Sequence, residues 1–404
     1  MIFKIGIRNA FRNKRRTFFV FITILFSVIL SSFSIGMVDG TFGNLIDLFA
    51  KSWTGHLQIH YKDYLENPTL YKTIDNYNTL LNKIDKNRYI MGSSGRIYSG
   101  GIASLNDKSR GVRIIAFNPI REKKTSGFEK KIIEGRYFSE KGEKELLIGK
   151  GLKQLLKAKL GDNIIIISQG ADGSIANDMY KVVGIVDSGN EDMDRASFYL
   201  RLKDAQELLY LKGKVHEIAI TLKDIKYTKK VSKYISGIID TKALSLEDWK
   251  IFAKSFYTLV MAKQKGNNIG LLIIFFIVGI GILNVILMSI LERTREYGVL
   301  KALGTRPLTL FKMILAEAYF IGLSGVLTGS LFGYLLNKYM SVHGIRYPQP
   351  VELGGVVLYQ ITSTVNIRTI FIPIIVVLLE IFLFGFYPAF KAAKTDPVKS
   401  LRFH

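Results

Sequence analysis

The sequence predicts a membrane protein of four transmembrane helices, with a large α/β (α+β) extracytoplasmic domain of two subdomains inserted between the first and second spans. Three observations predict it. Apolar runs at 17–38, 269–291, 308–336 and 369–387 have about the length a helix needs to cross a bilayer, roughly 20 residues. The 40–266 stretch holds no such run and scatters Asp, Glu, Lys and Gly throughout. Basic residues cluster in 1–16, 292–307 and 388–404, which the positive-inside rule puts together in the cytoplasm.

Composition agrees with a spanning protein that carries a substantial water-exposed part. Of 404 residues, 48% are hydrophobic, yet 22% are charged. The formal net charge of +23 raises nucleic acid, anionic lipid and acidic proteins as partners. The apolar spans exclude nucleic acid and leave membrane lipids and proteins. With no cysteine in the chain, disulfides, thiolate metal sites and Cys nucleophiles are excluded together.

From the N-terminus, 1–16 places Lys4, Arg8, Arg12 and Arg16 at i+4 spacing beside Phe3, Ile7 and Phe11. On a helix these are adjacent basic and apolar stripes, the pattern of an amphipathic helix in the inner headgroup region. Span 17–38 is too long for a signal-peptide core and is expected to stay uncleaved. Within 40–266, His56–His60, Arg88–Ser104 and Glu217–Leu222 read as strands, and Tyr77–Ile84 and Thr228–Ile238 as helices. These build one subdomain from both ends of the segment. Strands Glu145–Ile148, Ile164–Ser168 and Tyr180–Val186, with helix Gly149–Ala158, form the second, inserted at about 120–205. Ser168–Met179, with Gln169, Gly170, Asp172, Gly173, Asn177 and Asp178, reads as a polar hairpin loop. Leu246–Ala262 is expected to be a helix feeding the second span, and 338–368 an outer loop.

The connector 292–307 is the most informative segment. A Lys or Arg at the bilayer centre costs roughly 3 kcal/mol, so this charged gap must lie outside the hydrocarbon. Val299, Leu300 and Leu303 share one side of a helix, Glu292, Arg293, Arg295, Glu296 and Lys301 crowd the rest, Gly298 lies within it, and Gly304 is placed to end it. A short amphipathic helix under the membrane is a docking element for a cytoplasmic partner. Gly325, Gly329 and Gly333, four apart in the third span, form a small-residue face that lets another helix approach closely, in this chain or in a partner. Glu317 and Glu380 are carboxylates inside spans without an assigned role.

No catalytic centre is expected. The chain has no Gly-x-x-x-x-Gly-Lys-Ser/Thr phosphate loop, so an ATPase of its own is not expected. His56 and His60 share a strand face but lack a third ligand, so they read as solvated and not as a metal site.

Glu292–Gly304 resembles the signature that follows the second span in the FtsX-like permeases of ABC transporters. Pro388–Val398 resembles the closing motif of that family. Gly55–His60 and Gln169–Ser174 are similar to the lipoprotein-releasing LolC/LolE branch, a relative of MacB. The resemblance implies a permease of the bacterial inner membrane with both termini cytoplasmic. It implies a second permease subunit, the same or different, and a cytoplasmic ABC ATPase docked on Glu292–Gly304. ATP and Mg would be bound by that ATPase, with no cofactor in this chain. It further implies extraction of lipoproteins from the outer leaflet, with Ser168–Met179 as candidate contact for a periplasmic carrier. Within the same fold, the alternatives are a MacB-like exporter permease and an FtsX-like scaffold regulating a cell-wall hydrolase.

Overall fold

The computed structural model describes residues 14–139, 142–353 and 356–395. The basic stripes of 1–13 and the tail beyond Thr395 lie outside the described residues. The chain forms two compact units, one of Met1–Gly43, Met261–Pro348 and Tyr359–His404, the other of Asn44–Val260 and Gln349–Leu358.

The membrane unit is built on four helices long and apolar enough to cross a bilayer. They are Lys14–Phe49, Lys254–Leu291, Pro307–His343 and Ile367–Lys394. The first runs well past the apolar segment 17–38. Asp39, the first charge beyond that segment, is partnered: its carboxylate accepts from Asn366 Nδ2 at 2.9 Å and lies 3.4 Å from Arg368 Nη1. The glycine face of the third helix packs within the chain, against the first. A Cβ added at Gly329 would lie 2.9 Å from the Leu25 carbonyl and from Val28 Cβ, and one at Gly325 2.9 Å from Ile24. Gly333 faces Ser32 in the same way. Hydrogen alone at these positions lets the two backbones touch, where dispersion and weak C–H···O contacts hold them. Farther along, Asn337 Nδ2 donates to Ser32 Oγ at 3.0 Å and Ser363 Oγ to Asn337 Oδ1 at 2.7 Å, so each buried polar group answers another.

The second unit is organised by one sheet. Its strands are β1 (Leu57–Tyr61), β3 (Ile90–Leu105), β4 (Lys108–Phe117), β5 (Ile132–Gly135), β6 (Glu145–Gly149), β7 (Asn163–Gln169), β8 (Ile175–Val186), β9 (Ser197–Arg201), β11 (Glu217–Leu222) and β12 (Leu244–Asp248), with β2 (Ile74–Asp75) and β10 (Lys214–Val215) pairing separately. The order is β12-β1-β11-β3-β4-β9-β6-β8-β5, and β7 pairs with both β3 and β8. The long antiparallel strands β3 and β4 join the part made from the segment's ends to the inserted part. Parallel pairs β4–β9 and β6–β8 require crossovers, which the short helices Glu191–Ala196 and Lys150–Leu156 supply.

Leu246 lies in β12, not in a helix. The pairing of Leu246 with Ile59 outweighs local helix propensity, and the helix starts only at Trp249, where the Asp248 side chain accepts from the Lys250 N–H. The 338–368 segment carries a two-stranded ribbon, Ile345–Leu353 with Val356–Ile361.

His56 and His60 are fully buried rather than solvated. β1 is an inner strand, its edges paired with β11 and β12, and on its face the Tyr64 ring stacks 5.5 Å from that of His60. His60 Nε2 lies 3.4 Å from Glu217, which also accepts from Arg96 Nη1 at 3.0 Å and from Tyr98 Oη at 3.2 Å. Arg96 completes its fork on Glu122 at 2.6 and 3.2 Å and on the Trp53 carbonyl. Burial pushes the Glu217 carboxyl up, but the His60 bond, the Arg96 charge and Tyr98 outweigh it and hold the carboxyl below its ordinary 4.5. A depressed folded-state pKa stabilises the fold fully above the unfolded value and loses that contribution as pH falls through the folded value. Thermal melts taken from pH 7 downward should therefore show a steeper loss below about pH 4.5 in the parent than in Glu217→Gln. The variant should already be less stable at neutral pH.

Candidate functional site

The connector between the second and third spans folds as the helix Thr294–Ala302. Its end is set by backbone geometry. Gly304 adopts φ +91°, the Thr305 N–H donates to the Leu300 carbonyl at 3.0 Å and the Gly304 N–H to Lys301 at 2.9 Å. This paired closure needs a left-handed residue after the helix, which glycine adopts without a Cβ penalty.

Two side chains fix the helix to the membrane unit. Arg293 is 5% exposed and points inward, its Nη1 donating to both carboxylate oxygens of Glu317 at 2.9 and 2.7 Å. Its Nε donates to Glu296 at 2.9 Å and its guanidinium lies 5.5 Å from the Tyr297 ring centroid. Glu317 is thus a carboxylate of the third span that neutralises a connector cation, a pairing across the chain that its spacing did not announce. The signal was present: an ionisable group inside a span requires a partner, and the basic connector is the nearest supply. At the other end, Lys301 Nζ donates to the Ala393 carbonyl at 2.9 Å and to that of Thr395. Those are unsatisfied acceptors at the C-terminus of the fourth span, where a cation also meets the favourable end of the helix dipole.

The remaining residues sort by face. Tyr297 and Gly298 are buried, and Leu300 is half-buried against the membrane core, so the expected apolar stripe is narrower than Val299, Leu300 and Leu303 together. Glu292, Arg295, Val299, Ala302 and Leu303 are exposed, at helical spacing along the outer side. Val299 is 44% and Leu303 79% exposed. Arg293, Gly298 and Lys301 therefore hold the helix from behind, and the outer side presents two aliphatic side chains, Val299 and Leu303, in the turns that follow Glu292 and Arg295.

The second candidate region differs from the polar loop expected at Ser168–Met179. β7 continues to Gln169 and β8 resumes at Ile175, because Ile175↔Gln169 and Asn177↔Ile167 remain in register. Only Gly170–Ser174 turns, closed by Gly170 N–H to Ser174 O at 2.9 Å and by Asp172 Oδ1 accepting from Ser174 N–H at 3.0 Å. Gly173 supplies the positive φ of +84°. Asp178 is engaged by Lys144 Nζ at 2.8 Å. Gln169 and Asn177 are exposed, but beside them the same side of the ribbon carries Ile165, Ile167, Ile175 and Met179, all exposed. The outward chemistry is aliphatic, which the alternation Ile165, Ile167 carried and the polar composition of the turn obscured.

Among the described residues no group of three or more His, Cys, Asp or Glu side chains is placed to hold a metal ion. Glu380 is buried in the fourth span, with Oε2 lacking a hydrogen-bond partner among the described residues.

Two family models match the chain. A MacB-like periplasmic core domain covers residues 17–238 and an FtsX-like permease C-terminal region covers 268–397. The lipoprotein-releasing system transmembrane protein LolC of Neisseria meningitidis is 22% identical over 99% of this chain and 98% of its own length. An uncharacterized ABC transporter permease of Methanocaldococcus jannaschii is 27% identical over 69% of this chain and 67% of its own. Among solved structures, the periplasmic region of MacB from Actinobacillus actinomycetemcomitans aligns with 50% of this chain and 92% of its own, at 12% identity and a TM-score of 0.37.

Proposed function

This chain belongs to the ABC transporter permeases that join a MacB-like periplasmic core to an FtsX-like membrane region, and from that premise we propose that it releases lipoproteins from the outer leaflet of the inner membrane, driven by a separate cytoplasmic ATPase. The observation that carries the reading is the Thr294–Ala302 helix. It is clamped from behind at Arg293 and Lys301 and presents Val299 and Leu303 outward. A groove on an ATPase that gripped this outer side would move the third span through the Arg293–Glu317 pair and the fourth through Lys301. The connector, the N-terminus and the tail then face the cytoplasm, as their basic content requires. Two permease subunits, each above one ATPase, complete the machine.

The full-length likeness to a LolC protein supports lipoproteins as cargo. The exposed aliphatic strip of β7 and β8 is the surface on which we place the soluble carrier that receives them.

Depleting the protein and fractionating membranes tests the cargo. Lipoproteins should accumulate in the inner membrane. Normal lipoprotein distribution with a division defect would instead assign the scaffold role, and normal distribution with retained small molecules the exporter role.

A further inference from the structure

Within the Asn44–Val260 unit, two cavities share a wall made of Trp53 and Met193. The larger is an open cleft of about 710 Å³ with Tyr64, Leu70, Tyr98 and Ile115 on its sides. The smaller, about 80 Å³, sets Lys131 and Tyr199 among the aromatic Phe49 and Phe128 and polar residues that include Ser52 and Asn190. Trp53 cannot yield, because the Arg96 guanidinium lies 4.0 Å from its ring and Phe117, Phe128 and Tyr199 surround it. Met193 is unbranched and half-buried, so its side chain is the part of the wall free to swing.

The small cavity holds two donors, on Lys131 and Tyr199, that its other polar residues leave largely unanswered. Lys131 Nζ makes a single long bond, 3.4 Å, to the Ser188 carbonyl. The Tyr199 hydroxyl is fully buried and, among the described residues, has no partner beyond the neighbouring Ser197 side chain. A buried donor such as the Tyr199 hydroxyl is costly unless something accepts from it.

We propose that these cavities form one binding site for an anionic amphiphile, with its carboxylate on Lys131 and Tyr199 and its apolar chain passing Met193 into the cleft. Burial, then the Arg96 charge, lowers the Lys131 amine to about 8, against the opposing pull of Asp194, Glu122 and Asp187. Carboxylate binding should therefore weaken as pH rises through that value, whereas an uncharged amphiphile of the same chain should be indifferent to it.

Trp53 is a built-in reporter, since the chain has 2 tryptophans and Trp249→Phe leaves it alone. The full chain in nanodiscs would be titrated with a bromine-bearing long-chain carboxylate and with the matching alcohol, following Trp53 quenching. Saturable quenching by the carboxylate is expected, weakened roughly tenfold by Lys131→Gln with the alcohol unaffected. Gly100→Phe should block both probes, because Gly100 lines the cleft and a Cβ there meets no atom within 4 Å. Quenching that survives Gly100→Phe would mean the bromine reaches Trp53 from the bilayer, and the site would fall. Equal loss of acid and alcohol in Lys131→Gln would remove the assigned head-group contact.

Discussion

Val299→Asp combined with Leu303→Asp is expected to abolish capture of the ATPase while leaving the permease inserted and folded. Both side chains are exposed on the outer side of the connector, so neither change opens a cavity in the membrane unit. Burying a Val or Leu in a partner's groove is worth about 1.5–3 kcal/mol each. Losing both, and asking the same groove to desolvate carboxylates, removes at least about 4 kcal/mol, roughly a thousandfold in Kd. Co-purification of the tagged permease with its ATPase reads this directly. The absence of cysteine adds a second measurement, because a single Cys at Leu303 can be cross-linked without background. Undiminished ATPase capture by the double variant would detach docking from this helix. Leu300→Asp is the instructive contrast. Leu300 packs against the membrane core, so that change should lower the yield of folded protein instead of selectively lowering ATPase binding.

The spans and the alternating strands were legible because each rests on a local period: an apolar run for a membrane helix, every second residue for a half-covered strand. The connector helix was legible for the same reason, and Gly304 marked its end. What the sequence did not disclose depends on pairing at a distance. Glu317 and Arg293 are brought together by the turn between two spans, and Lys301 finds carbonyls almost a hundred positions away, that of Ala393 being 92 residues on. His56 and His60 looked solvated because alternation says which residues share a face, not whether another part of the chain covers it. Tyr64 stacks on His60 and Asp47 lies 3.4 Å from His56, and only the fold reveals that. The turn at Gly170–Ser174 was misjudged in extent because Gln169 and Asn177 are polar yet continue the ladder, where backbone pairing and not side-chain polarity decides.

Arg293→Ala is expected to produce the second large effect, and through a different route. It leaves Glu317 buried without its bidentate partner, and breaking a buried pair on one side costs about 3–5 kcal/mol. Val299 and Leu303 keep their outward positions, so ATPase capture should persist in whatever fraction folds. Transport should be lost, because the rigid contact between connector and third span is gone. Arg293→Lys separates charge from geometry: an ammonium neutralises Glu317 but cannot span both oxygens and Glu296 at once. Its melting temperature in detergent should fall between parent and Arg293→Ala. A double-mutant cycle with Glu317→Gln measures the coupling itself. If Arg293 acts through Glu317, the double variant should be more stable than Arg293→Ala alone, since no buried carboxylate remains that has lost the Arg293 guanidinium. Additive losses in the cycle would mean that the two residues stabilise the unit independently, and motion of the connector would then need another path into the third span.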